Sequence, residues 1–197
     1  AFLPRTVIGS LRSAWHLERV RLERCGHPPL SIHNDILQAW AMTVVLYVAL
    51  AVVFGPIVLP FLVIQSVLGA SLLEVVNYLE HYGLLRQKLP NGRYERCAPV
   101  HSWNSDHLVT NLFLYHLQRH SDHHANPTRR YQTLRSMDGA PNLPSGYASL
   151  IGLTYVPPLW RKLMDHRVLE HYDGDITKAN LQPRRRKKIL ARYGVAV

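Results

Sequence analysis

ILQAWAMTVVLYVALAVVFGPIVLPFLVIQSVLGASLL, residues 36–73, runs for 38 positions without one Asp, Glu, Lys or Arg. A soluble domain of 197 residues has little reason to bury so long a run, whereas a bilayer asks for about 20 apolar residues per crossing helix. Gly55 and Pro56 divide the stretch. Each half, at about 1.5 Å per helical residue, reaches nearly 30 Å, enough for one crossing apiece. An antiparallel hairpin returns both flanks to one side. Residues 1–35 carry a net charge of +2 and residues 74–197 one of +8, as the positive-inside rule asks of cytoplasmic segments. The alternative, a single tilted crossing, would set two basic flanks on opposite faces.

Outward from the hairpin, Val7, Ile8, Leu11, Trp15 and Leu22 fall on one helical stripe that Gly26 closes. A basic amphipathic helix of this kind either lies at a membrane surface or packs against other protein. Asn34 and Asp35 offer N-cap oxygens to a helix over Ile36–Phe54. The second apolar helix starts after Pro56 and continues into NYLEHYGL. Beyond it LPNGRYERCAP reads as a turn-rich loop, followed by a helix from Asp106 to Ala125 that NP ends. PNLPSGYASL reads as loop with a turn, then a helix covers Val156 to Glu170. The tail from Arg184 to Arg192 has six basic residues in nine, which suits a solvated terminus or a patch held by anionic lipid. There is no internal repeat and no β-alternation. The expected fold is all-α: an integral-membrane helical bundle with residues 1–35 as amphipathic helix and linker, 36–73 as hairpin and 74–197 as a cytoplasmic, histidine-rich metal-binding cap.

Composition narrows the function classes. The formal charge is +10, from 23 Lys and Arg against 13 Asp and Glu, and the mean hydropathy of −0.08 averages over strongly segregated regions. That segregation argues against a free cytosolic enzyme and against a disordered chain. Cys25 and Cys97 form no CxxC pair, which argues against an iron-sulfur site, a rubredoxin-type centre or a zinc ribbon within the chain. A disulfide framework is equally unsupported, so a reducing compartment is expected. The opening AFLPRTVIGS lacks an initiator Met and a signal-peptide pattern, and the chain reads as a carboxy-terminal piece of something longer. No nucleic-acid partner is expected.

Seven of the 12 histidines lie between His81 and His124. In YHLQRHSDHH, His120, His123 and His124 stand at i, i+3 and i+4, so on a helix their imidazoles share one face. Protonated, they would repel one another; neutral, they could share a metal ion. Spacing favours metal ligation over a solvated polar face. His116, one turn earlier, joins them or serves as a supporting histidine. His81 taken alone is more often interfacial than a ligand, and His101 and His107 read as hydrogen-bonding residues. HExxH and paired Glu-x-x-His sequences are absent, which removes the zinc-protease and ferritin-like sites. Glu80, Asp106, Asp122 and Asn77 are candidate acceptors that would orient a ring through its second nitrogen, although Asp106 is equally suited to capping a helix.

NYLEHYGL followed by LQRHSDHHANP resembles the integral-membrane alkane monooxygenases of the AlkB type, in their carboxy-terminal half. The similarity runs through the hairpin, HSWNSDH and RYQTLRSMDGAPNLPSGY. The resemblance implies a bacterial inner-membrane, multi-pass enzyme with metal site and termini on the cytoplasmic side. It also implies a non-haem di-iron centre of two Fe ions that uses O2 and electrons from rubredoxin, with rubredoxin reductase upstream, to convert a medium-chain alkane to a 1-alkanol. It gives His81, His120, His123 and His124 as iron ligands. The family's further ligand boxes precede EHYG and are not in this sequence, so the amino-terminal half of the enzyme would complete the site. Arg129 and Arg130 are candidates for docking rubredoxin. Two alternatives stand beside this reading: a membrane di-iron fatty-acyl hydroxylase or desaturase, and a non-catalytic zinc-binding membrane module.

Overall fold

The computed structural model describes residues 2–195. Among them every regular element is helical; the extended contacts are two isolated bridges, Lys88 with Tyr94 and Asn104 with Asn142. The chain divides into two compact units, residues 1–74 and 75–197.

In the first unit the expected amphipathic helix is α1 (Phe2–Arg24). It ends in a Schellman turn: Gly26, at φ +72°, donates to Glu23 O and His27 donates to Leu22 O. The helix α2 (Asp35–Phe54) is capped as its sequence predicts, Asn34 Oδ1 accepting from Ile36 N–H (2.9 Å) and Leu37 N–H (3.1 Å). Glu18 joins the two helices by accepting from Asp35 N–H at 2.8 Å while holding Arg21 in a two-point pair. Gly55, at φ +82°, turns the chain into α3 (Val58–His81). Tyr47 OH bonds Leu62 O and Ser66 Oγ, which sets α3 beside α2. Both helices have the length and composition of membrane spans, with mean hydropathies of 2.2 and 1.9. The α2 helix has no buried residue, so its apolar surface is not the interior of this chain.

The second unit begins within α3, at Val75. Its core gathers Leu79, Leu84, Trp103, Tyr147, Leu150, Trp160, Met164 and Val168. The single helix expected from Asp106 to Ala125 is two short ones, α4 (Leu108–Phe113) and α5 (His120–Ala125). Between them Tyr115 and His116 take φ of +50° and +60°, and His116 N–H donates to Asn111 O. The tertiary bonds of Asn111 and Gln118 account for the break. Asn111 Nδ2 donates to Ser105 O, and Gln118, fully buried, accepts from Thr110 Oγ1 and Tyr147 N–H. These bonds outweigh the local helical preference of NLFLYHL. Tyr147 N–H also opens α6 (Tyr147–Thr154), a helix inside the segment read as loop. The expected later helix is α7 (Pro157–His171). The basic tail forms α8 (Arg186–Arg192), with Leu190 in the core and Arg186, Lys187 and Lys188 exposed.

Candidate metal centre

The last turn of α3 carries Glu80 and His81, and α5 carries His120, Asp122, His123 and His124. Three imidazoles converge. His120 Nε2 lies 3.2 Å from His81 Nε2 and 2.8 Å from His124 Nε2, and one ligand atom from each ring falls within 4.8 Å of the others. Two imidazole nitrogens bound about 2.1 Å from one ion at angles between tetrahedral and square are separated by about 3.0–3.4 Å. The His81–His120 spacing lies inside that range and the His120–His124 spacing just short of it, so a small ring shift would fit a shared metal. The tautomer of His81 suits it too. His81 Nδ1 meets the His101 carbonyl at 3.3 Å, and a carbonyl only accepts. The proton therefore sits on Nδ1, and Nε2 presents a lone pair to the cluster.

Glu80, itself buried, places Oε2 3.3 Å from His120 Nε2. Glu80 Oε1 and His120 Nδ1 are buried with no hydrogen-bond partner among the described residues. Burial, followed by the neighbouring His124, His81 and His123, pushes the His120 pKa down from 6.5 to about 2. Burial, followed by His81 and His123, lowers that of His124. Both rings are therefore neutral at pH 7, the form a metal needs.

The remaining candidates are distributed around this cluster. The His123 ring is exposed, with its centroid 6.0 Å from that of His120 and 5.8 Å from that of His124; it is not among the three converging rings. His116 lies in the left-handed turn before α5, its Nδ1 donating to Tyr131 O at 3.1 Å. Asn77 sits on α3 one turn before His81 and is exposed. Asp106 accepts from Ser136 Oγ, and the N-cap of α4 is His107, so Asp106 does not cap the helix. Asp122 turns away from the rings: its buried carboxylate accepts from Arg129 Nη1, Asn126 Nδ2 and Arg135 N–H. Arg129 is thereby tied to α5, while Arg130 is exposed.

Residues in SWNSD hold the two ligand-bearing segments together. Trp103 N–H donates to Glu80 O (2.8 Å) and Trp103 Nε1 to Tyr82 O (2.8 Å). Ser105 N–H donates to Gln118 O, and Asn104 bonds Ser121 at two points. His101 hydrogen-bonds as its sequence context suggests, with Nδ1 accepting from Ala98 N–H and Nε2 donating to Glu95. Sequence reasoning passed over Trp103, Asn104 and Gln118, whose one visible signal was a polar run without periodicity next to the histidine motif.

Residues 1–154 match the family described as Fatty acid desaturase. The chain belongs to the fatty acid desaturase family. This family member is 55% identical, over 98% of its length, to the alkane 1-monooxygenase of Acinetobacter baylyi. It is 51% identical over 98% to alkane 1-monooxygenase 1 of Alcanivorax borkumensis, and 47% identical over 99% to the alkane 1-monooxygenase of Ectopseudomonas oleovorans. These alignments cover 48%, 48% and 49% of the relatives, so the chain spans about half the length of the curated relatives it matches. The histidine cluster lies inside the matched segment.

Proposed function

We propose that this chain is the carboxy-terminal half of a membrane alkane 1-monooxygenase in which His81, His120, His123 and His124 ligate iron in a non-haem di-iron centre. The observation that carries the reading is the meeting of three imidazoles, His81, His120 and His124, at one point, in a chain similar to alkane 1-monooxygenases over nearly all of its length. Four imidazoles are too few for two irons, so the amino-terminal half supplies the other ligands. Residues 36–73 form a transmembrane hairpin, 1–35 an amphipathic entry, and 74–197 the cap. The basic flanks support an orientation with the cap and both termini on the cytoplasmic side of the bacterial inner membrane.

The iron, when bound, supplies the activation of O2 and the hydroxylation of the terminal methyl group. This chain's residues bind, orient and enclose. The His81 Nδ1–H bond to the His101 carbonyl fixes that ring with its lone pair inward. Trp103, Tyr147 and Leu79 are buried in the core that adjoins Glu80, Tyr147 OH donating to Trp103 O and Trp103 N–H to Glu80 O. Apolar walls retain an alkane at about 0.8 kcal/mol per CH₂ but cannot orient it electrostatically. Terminal selectivity therefore comes from the shape of the cavity, and no side chain is needed as a general base. Electrons arrive from rubredoxin, which rubredoxin reductase recharges. Arg130, exposed and unlike Arg129 not pledged to Asp122, steers an acidic donor by long-range attraction.

Metal analysis and Mössbauer spectroscopy of the full-length protein, with octane and a fatty acid offered side by side, test the reading. Two irons per protein and rubredoxin-dependent 1-octanol support it. The family match also favours a second reading, a fatty-acyl hydroxylase or desaturase, and products from the fatty acid alone would select that one. Zinc without turnover would leave a non-catalytic module. Full iron and turnover in His120→Ala would overturn the ligand assignment.

A further inference from the structure

The helix α5 has six residues, too few to persist by itself. Its N-cap, Arg119, makes no side-chain cap bond. The cap comes instead from another part of the chain. Asn104 Oδ1 accepts from Ser121 N–H at 2.9 Å, and Asn104 Nδ2 donates to Ser121 Oγ at 2.6 Å. The amide orientation is fixed, because a backbone N–H can only meet the oxygen. Asn104 is 1% exposed and Ser121 0%, so neither bond can be replaced cheaply by one to water.

The backbone around Asn104 is held equally firmly. Asn104 N–H donates to Pro141 O, and Asn104 O accepts from Leu143 N–H, both at 2.8 Å. One residue earlier, Trp103 N–H donates to Glu80 O, the carbonyl just before His81. One residue later, Ser105 N–H donates to Gln118 O, two residues before His120. Three consecutive residues thus bridge the end of α3 and the start of α5, and the one side chain of the three that grips α5 directly is Asn104. No other neutral side chain of this size offers an acceptor and a donor on one planar group.

We infer that Asn104 is a positioning residue of the metal centre, acting through Ser121 to set His120 and His124 against His81. The inference rests on the metal-binding reading above. It asks for more than a well-packed loop: loss of the two-point bond should alter the ligand field and affinity of a metal held by these rings, beyond any loss of stability. Outer partners of metal ligands commonly change affinity by about 10- to 100-fold.

The test uses the full-length protein in detergent, with Co(II) as probe. Titrations follow visible ligand-field absorption in the wild type, Asn104→Leu, Ser121→Ala, the double variant, Leu150→Ala and His120→Ala. Asn104→Leu should weaken Co(II) binding by about 10- to 100-fold and shift its bands. Ser121→Ala, which keeps its backbone N–H, should shift them less, and the double variant should match Asn104→Leu alone. Leu150→Ala, a core truncation, should lower thermal stability with the bands unmoved. Wild-type affinity and spectrum in Asn104→Leu would overturn the inference. If that variant does not accumulate, an unshifted spectrum in Ser121→Ala overturns it instead. Unaltered Co(II) binding in His120→Ala would instead defeat the metal-centre reading itself, a separate failure.

Discussion

Arg129 Nη1 donates to both carboxylate oxygens of Asp122, at 2.6 and 2.7 Å. Asp122 is fully buried, and Arg135 N–H and Asn126 Nδ2 complete its acceptor set. The pair closes the loop after α5 onto the helix that carries the histidines. Asp122→Ala would strand a guanidinium and a backbone N–H, and should destabilise the protein by about 3 kcal/mol. Asp122→Asn should cost less. Chemical denaturation of both variants checks the order, and a smaller loss for alanine than for asparagine would contradict it.

The glycine of EHYG has a packing role. Gly83 sits at φ +73°, and a Cβ there would lie 2.5 Å from Val168 Cγ2. Gly83→Ala should therefore cost about 2–4 kcal/mol, part from the left-handed backbone and part from overpacking. Adding Val168→Ala should recover only the packing part. Full recovery in the double variant, read from thermal melts, would show that the backbone strain is negligible.

Glu95 gives the protein an acid limit. Its carboxylate accepts from Gln87 N–H at 2.6 Å and from His101 Nε2 at 2.9 Å, and the Gln87 bond, outweighing burial and helped by His101, holds its pKa below 4.5. The unfolded chain therefore binds this proton more readily than the folded one. Glu95 contributes stability that is present above pH 4.5 and is lost as pH falls through the depressed folded value. Glu95→Gln should reduce the slope of stability against pH below 4.5 and leave it unchanged near neutrality. An identical acid slope in the variant would refute the assignment.

His123 stands outside the three converging rings. In the proposed di-iron centre His123 therefore serves the second ion, so His123→Ala should leave the metal bound by His81, His120 and His124, whereas His124→Ala should release it. Metal-to-protein ratios after dialysis against a weak chelator separate the two, and equal losses would place His123 within the same first coordination set.

The reach of sequence reasoning depended on where the deciding bonds lay. The Asn34 cap, the Gly26 and Gly55 stops, and the i, i+3, i+4 placement of His120, His123 and His124 arise from neighbours in sequence, and each stands where it was read. The break at Tyr115 and His116 has a different origin. It follows from Asn111 meeting Ser105 and Gln118 meeting Tyr147, the second pair 29 residues apart. The start of α6 hangs on the same Gln118 oxygen. Arg129 stands beside Arg130 as a docking candidate in the sequence because nothing local reveals that Asp122, seven residues earlier, points toward it. The ring of His81, unremarkable in isolation, gains its meaning from partners 39 residues away.

The anchoring of α8 changes how the basic tail must be understood. Leu190 lies in the core, with Ile189 and Val195 packed against it, so the exposed cations of Arg186, Lys187 and Lys188 ride on a docked helix instead of a loose brush. Their charges keep fixed bearings, and any anionic surface that meets them meets a stencil. Cutting off the tail would also pull a plug from the hydrophobic interior. Reversing the signs of its surface residues isolates the electrical contribution; truncation does not.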